Sequence, residues 1–547
     1  MKKYILIVAT LFTAGISGCK KDYLSQEVNP NSPSVTTPQL SLAAALSTSA
    51  NIVTYDYEGE GVWAGYFTTS GNYVPNTTLN QFNLTTGSLN GDWGDWYGNL
   101  TNYNLLQGIA AKDPSLANFQ AIAIIMKAYG FQHLVDQFND VPYSQAFQPA
   151  TILFPGYDKG SAIYEDLGKQ LDNAIAIIKG ASGAVNPGSS DIVFGGNMAG
   201  WEKFANSIKL RLAMRVSTKS PSDPLIADLA STESLGYLDG NLDAEANPGY
   251  ANTSGKQNPF YSTFGVDANA NPGGDEVYYR APAFEVTTLI NLNDPRVSSF
   301  FAPVSNSWPA VVFRGNTFGD PLAKANPLTS SIGPGLAQSS SQNSILFSGA
   351  ESLFLQAEAV EIGALPAGSS GLSAGSTANG ATAGSAQALY EGGIVASFIA
   401  SQAGGTYAPV PADGSGNPIT AGQTPTTPNF VWTAPSAATS AALAETYLTQ
   451  STVNVGWAAS ATSTQGALAA IYTQKWIALT GLFPFEAWNS ERRTGIPAIP
   501  TSVDPSRVNP IPPYRVLYPT SELNTNAVNL GKEGTINVFS SKIFWQQ

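Results

Sequence analysis

Apolar positions recur at helical spacing through much of the chain and break down in a few well-defined stretches. Leu40, Leu42, Ala43, Leu46, Ala50 and Val53 predict a first helix over 39–53. A strongly apolar run from Ile122 through Tyr129, Leu134 and Phe138 predicts a second over 115–138, ended by Asn139-Asp140-Val141-Pro142-Tyr143. Further helical patterns cover 161–179, 199–217, 348–362, 386–402, 438–450 and 464–480, after which Pro-rich segments run to the end. Within 199–217, Lys203, Lys209, Arg211 and Arg215 read as a solvated or ion-paired face. Between 218 and 345 the periodicity fades into Pro, Gly, Asn and aromatic residues, a long loop-rich excursion with short strands such as 309–314. Residues 363–385 and 404–436 are rich in Gly, Ala, Ser, Thr and Pro and read as surface loops. Alternating helix pairs suggest a helical-repeat body, although no fixed period of about 34 residues is visible.

The amino terminus follows a different pattern. Lys2 and Lys3 precede an apolar run too short to span a bilayer, and Ile16-Ser17-Gly18 precede Cys19, so residues 1–18 read as a secretory signal with a lipobox-like end. Cleavage there would leave Cys19 as the lipidated first residue of the mature chain; the plain alternative is a buried thiol. Each buried methylene of an acyl chain contributes roughly 0.8 kcal/mol, so several chains anchor a protein without a transmembrane helix. Residues 19–38, with turns around Asn29-Pro30-Asn31-Ser32-Pro33, read as a tether to a single domain over 39–547.

Composition narrows the chemistry. With 547 residues, 43% hydrophobic and only 12% charged, the chain has the make-up of a globular protein with a large core. A net charge of −13 argues against nucleic acid as a partner. Cys19 is the only cysteine, so an intramolecular disulfide is excluded, and the single histidine, His133, makes a zinc site of the usual type implausible. Nothing requires a cofactor; oxygen-ligated structural Ca²⁺ stays open, without an EF-hand pattern. His133 itself lies in an apolar helical run, the setting of a core histidine.

Enzyme signatures fail on their partners. Gly371-Leu372-Ser373-Ala374-Gly375 spells a nucleophile elbow but lies in a low-complexity loop, and the lone histidine precedes it. Asp92 and Asp95 would share one helix face, whereas glycosidase carboxylates flank the scissile bond at about 5–9.5 Å. Glu351, Glu358 and Glu361 fit a helix face that makes ion pairs or caps. Binding asks for less. Between Trp63 and Tyr97 aromatic residues alternate with Gly, Asn and Thr, a composition that presents rings to a sugar or sends them into the core.

Several phrases in order resemble the SusD/RagB outer-membrane lipoproteins, in the SusD-like nutrient-binding branch. They are Asn29-Pro30-Asn31-Ser32-Pro33, Phe131 to Phe138 leading into Asp140-Val141-Pro142-Tyr143-Ser144, Asn206 to Arg215, Asn293-Asp294-Pro295-Arg296 and Glu351 to Glu358. Towards the end come Gln474-Lys475-Trp476-Ile477-Ala478, Glu486-Ala487-Trp488 with Arg492-Arg493-Thr494-Gly495, and Arg515-Val516-Leu517-Tyr518-Pro519. The resemblance implies a mainly α fold with four tetratricopeptide-like helix pairs, irregular loops and a few short strands. It also implies a surface-exposed, non-enzymatic lipoprotein of the outer membrane that captures a glycan or other oligomer for a SusC-like TonB-dependent transporter. Lys20-Lys21-Asp22 resemble the charged surface-export tag of Bacteroidetes lipoproteins. Under this reading the ligand-binding rings are Trp63, Tyr66 and Tyr73 in the first aromatic stretch and Tyr261, Trp308 and Phe313 in the middle excursion. A surface glycan hydrolase and an adhesive lipoprotein are the alternatives. Arg492 and Arg493 beside Trp488 read as structural, or else as an anion site.

Overall fold

The computed structural model describes residues 37–412 and 427–547; the signal, Cys19 and most of the tether lie outside the described residues. Ten longer helices form the body: α1 (Pro38–Thr54), α2 (Gly91–Ala110), α3 (Ala117–Phe138), α4 (Gly160–Gly180), α5 (Met198–Ser217), α6 (Gly349–Glu361), α7 (Ala386–Ala400), α8 (Ala437–Leu448), α9 (Gly466–Ala478) and α10 (Pro484–Thr494). Their starts are written locally. Side-chain oxygens of Thr37, Asn197, Ser348 and Ser385 accept from the first-turn amides of α1, α5, α6 and α7. Gly495, in the left-handed region at φ 68°, ends α10, which the Pro-rich reading of the C-terminus had passed over.

Consecutive helices pack on one another, α2 on α3, α3 on α4 and α6 on α7 most closely, with further contact of α1 with α2, α4 with α5, α7 with α8 and α9 with α10. In the first pair Trp93 meets Phe138, Trp96 meets Tyr129 and His133, and Asn104 meets Lys127, so the helices run antiparallel. Gly130 makes this crossing possible: a Cβ there would lie 2.7 Å from the Trp96 ring. Helices α3, α5 and α6 are buried nearly all round, whereas α4 keeps one apolar face towards α3 and α5. Among the described residues no helix is long and apolar enough to cross a membrane.

The buried helices carry charge. Arg211 of α5 meets Glu351 of α6 through two hydrogen bonds of 2.9 and 2.8 Å, with both side chains 2% exposed. Arg215 pairs with Glu486 and lies 3.7 Å from Asp136; Arg493 pairs with Glu358; Lys209 pairs with Asp172 and Asp228. Lys209, Arg211 and Arg215 are therefore ion-paired but not solvated, because neighbouring helices cover the face they occupy. Arg492 lies 3.4 Å over the Trp488 ring, and His133 stacks on Phe485 at 4.8 Å with its pKa lowered to about 4 by burial.

Among the described residues the strands form three antiparallel two-stranded sheets: β1 (Thr68–Thr69) with β3 (Tyr279–Arg280), β2 (Ala244–Ala246) with β4 (Ser344–Phe347), and β5 (Thr406–Ala412) with β6 (Thr427–Thr433). Two expectations are corrected here. No strand forms over 309–314, where the backbone makes scattered single bonds: the Val304 amide to the Val312 carbonyl, the Ala310 amide to the Ser307 carbonyl and the Ser330 amide to the Arg314 carbonyl. The 404–436 stretch is not only loop, because its two ends pair as β5 and β6. The excursion over 218–345 also contains helices at Pro224–Thr232, Pro259–Phe264 and Ala283–Asn291, each short enough to escape a periodicity test.

Candidate functional site

The six rings singled out in the sequence divide between core and surface. Trp63 and Tyr66 are 3% and 1% exposed. The Trp63 indole donates to the Leu79 carbonyl and its ring packs on Trp488; the Tyr66 hydroxyl donates to the Trp476 carbonyl and its ring stacks on Trp476. They pin the chain after α1 to α9 and α10 and offer no face to a ligand, which corrects their assignment as binding rings. Tyr261 is half-buried on the Pro259–Phe264 helix, where its ring covers Gly265.

Tyr73, Trp308 and Phe313 remain on a surface built from the 70–76 loop and the 301–330 segment. Tyr73 is 42% exposed and meets Tyr278 edge-on at 5.0 Å. Beneath it the backbone is fixed: Ser70 N–H donates to the Tyr278 carbonyl, and Gly71 N–H donates to the Lys324 carbonyl. A Cβ on Gly71 would stand 1.8 Å from the Ala323 oxygen, so only glycine lets the two loops meet. Asn72 accepts from the Asn326 amide at 2.8 Å, and Asn316 joins Thr69 and Lys324 by bonds of 2.8–3.2 Å. Buried Arg280 on β3 holds the far side, donating to the carbonyls of Asn326 and Thr329. Val74 and Leu322 stand 85% and 83% exposed at the two loop tips.

The second ring group lies where β6 packs against the Ser305–Ser307 turn that leads into Trp308. Phe313 lies 6.3 Å from Tyr407, and Tyr407 lies 4.9 Å from its cross-strand partner Trp432. Among the described residues, the indole N–H groups of both Trp308 and Trp432 are buried without a hydrogen-bond partner. Sequence reading missed Tyr278, Tyr407 and Trp432. The last had a signal, since Phe430 and Trp432 alternate along one strand face inside a segment dismissed for its Gly, Ser and Thr content.

A polar recess lies between α1 and α2. It has a volume of about 480 Å³ and is lined by Asn51, Glu58, Glu60, Asp92, Asp95 and Asn102 among others. The Gln137 amide donates to Glu60 at 3.0 Å and to Asp92 at 2.6 Å, bridging them. Burial, then the Asp92 charge, pushes Glu60 up to about 8, and burial pushes Asp92 up to about 6. Among the described residues no group of three or more His, Cys, Asp or Glu side chains is placed to hold a metal ion.

A chain with a mainly α-helical body and irregular, ring-bearing loops is matched by a family model. The model describes SusD-like proteins, starch-binding and associating with the outer membrane, and it matches residues 30–400. The chain belongs to the SusD-like family. A SusD-like protein of Bacteroides thetaiotaomicron superposes with a TM-score of 0.67 at 22% identity, covering 92% of this chain and 98% of that one. A SusD homologue of Bacteroides uniformis gives 0.63 at 22% identity, with 93% and 99% covered. A chitin-binding SusD homologue of Flavobacterium johnsoniae gives 0.65 at 23% identity, with 92% and 98% covered. At these identities the likeness is one of fold. No curated protein is similar to the chain in sequence. As a SusD-like protein it is a nutrient-binding, non-catalytic member of an outer-membrane-associated family, and the β5–β6 arm lies beyond the matched segment.

Proposed function

We propose that the loop face carrying Tyr73, Tyr278, Trp308 and Phe313 captures a glycan oligomer for import through a SusC-like TonB-dependent transporter, with the body held at the outer membrane through lipid on Cys19. The observation that carries the reading is the half-exposed Tyr73 ring, braced edge-on by Tyr278 over loops whose backbone is already hydrogen-bonded. A ring fixed in this way stacks on the apolar face of a pyranose with little ordering cost, while Asn72 and Asn326 stand beside it to meet hydroxyls. The family description as starch-binding and the chitin-binding neighbour choose the probes, namely maltooligosaccharides and chitooligosaccharides.

Calorimetry of the purified protein against these two series tests the site. Binding to one of them, weakened by Tyr73→Ala and by Trp308→Ala, is the expected result. Unchanged affinity in both variants removes this face as the site. Release of shortened sugars by the intact protein would favour the hydrolase alternative, and co-purification with a transporter barrel tests the partner.

A further inference from the structure

A second recess has a different chemistry and lies on the body, away from the loop face. It sits between α2, α3 and α4 under the 143–148 segment, with a volume of about 310 Å³. Lys127 is the only charged residue lining it; the other polar lining comes from Asn104, Gln107, Tyr143, Ser144, Gln148 and Gln170. The Lys127 ammonium donates to the amide oxygens of Asn104 and Gln107, both at 2.9 Å, and to no carboxylate among the described residues. The two fully buried lysines both lie in the field of acids: Lys209 pairs with Asp172 and Asp228, and Lys475, without an ion pair among the described residues, feels the charges of Glu358 and Glu351. A half-buried cation satisfied only by neutral oxygens is an unmatched charge. Burial also lowers its pKa to about 8, which still leaves most of it protonated at neutral pH.

The recess adjoins a second chamber of about 430 Å³, with Asn104, Ala146, Phe147 and Gln148 common to both. This chamber is mainly apolar, walled by Trp93, Tyr97, Leu105, Ile152 and Leu153, of which Leu105 and Leu153 are 60% and 70% exposed; the one acid on its lining, Glu522, accepts from the Tyr157 hydroxyl at 2.6 Å. Phe147 stands between the two chambers. Its backbone lies in the left-handed region at φ 60°, uncommon for a bulky residue, and its ring lies 5.7 Å from the Lys127 nitrogen and within aromatic contact of Tyr97 and Phe131. The carboxylates that touch the polar lining are already engaged: Asp166 accepts from the Tyr143 hydroxyl at 2.5 Å and the Gln170 amide at 3.3 Å, and Asp158 accepts from the Tyr143 and Ser144 backbone amides and the Ser144 hydroxyl.

We infer that these joined chambers form a binding site for a carboxylate with an apolar body, its anion on Lys127 and its hydrocarbon or aryl part against Trp93, Tyr97 and Phe147. Charge complementarity selects the anion, and the apolar chamber one ring away selects what is attached to it. A neutral sugar has no use for the unmatched ammonium, and a polar acid has none for the apolar walls.

Calorimetry on the full chain tests this with 3-phenylpropanoate, its neutral analogue 3-phenylpropanol, galacturonate, and a dipeptide ending in phenylalanine as free acid or as amide. The expected order is phenylpropanoate or the peptide acid at least tenfold tighter than the alcohol, the amide and galacturonate. Lys127→Gln should erase that preference, Lys127→Arg should keep it, and neither should alter neutral-oligosaccharide binding. Tighter binding of the aryl acid than of the peptide acid, or the reverse, assigns the natural source, and either supports the site. Equal binding of acid and alcohol by the wild-type protein overturns the inference without recourse to any variant, as does absence of binding by every carboxylate at millimolar concentration.

Discussion

The helical body and the loop face use the same side chains in opposite ways. In the body, Arg211 and Glu351 are nearly inaccessible and satisfy each other, and indoles such as Trp476 and Trp63 donate to backbone carbonyls. On the loop face the Tyr73 ring stands half out of the protein, while indoles without an acceptor among the described residues occur in both regions, Trp308 and Trp432 at the face and Trp488 in α10. The body turns its charges on one another, as in Arg211–Glu351, Arg215–Glu486 and Arg493–Glu358; the face fixes its backbone with asparagines and Arg280 and leaves the Tyr73 ring uncovered. The difference teaches that here exposure, more than residue type, marks the groups available to a ligand.

The comparison breaks most visibly if a body charge loses its partner. Glu351→Ala leaves the Arg211 guanidinium buried, with Glu486 only at 3.6 Å, and should cost about 3–5 kcal/mol in chemical denaturation. Glu351→Gln keeps an acceptor and should cost less. A loss near zero would mean that the pair is solvated in solution and that the contrast with the loop face is false.

The next effect is a pH dependence set by Glu60. Its pKa stands at about 8 in the folded chain, above the ordinary carboxylate value near 4.3, so between those values the folded state holds a proton that the unfolded state has released. Stability therefore falls as pH rises through that window, by at most about 1.4 kcal/mol per pH unit from this group. Glu60→Gln should flatten the fall between pH 5 and 8 in denaturation curves. Equal slopes in variant and wild type would show that Glu60 ionises freely.

Much of the body was legible in the sequence because burial there imposes a period. Predicted 161–179 and 199–217 match α4 and α5 to within a residue at each end, since Ile163, Leu167, Leu171 and Ile175 must face one way. Trp63 and Tyr66 were misassigned because composition does not distinguish a ring in a polar loop from a ring that anchors the loop; only their contacts with Trp488 and Trp476 do. Lys127 carried no signal at all. It becomes notable only when α2 and the 143–148 segment close around it without bringing an acid.

On the loop face the expected effect is smaller in energy and confined to binding. Tyr73→Ala removes a ring contact worth about 0.5–1.5 kcal/mol, a loss of roughly two- to twelvefold in oligosaccharide affinity, and it should leave the melting temperature unchanged because the ring is 42% exposed. A fall in melting temperature with affinity intact would make Tyr73 a body residue.

The smallest effect isolates burial from location. Lys169 and Glu165 lie one turn apart on α4, joined at 2.7 Å, with side chains 67% and 57% exposed. Their chemistry is that of Arg211 and Glu351, an ammonium in place of a guanidinium, and they too belong to the body. Water already solvates both ions, so little is lost when one partner goes. Lys169→Ala should leave the melting temperature within the error of the measurement, and added salt should remove any residue of the effect. If this variant instead destabilised the chain as Glu351→Ala is expected to, position in the body rather than burial would govern the worth of a charge.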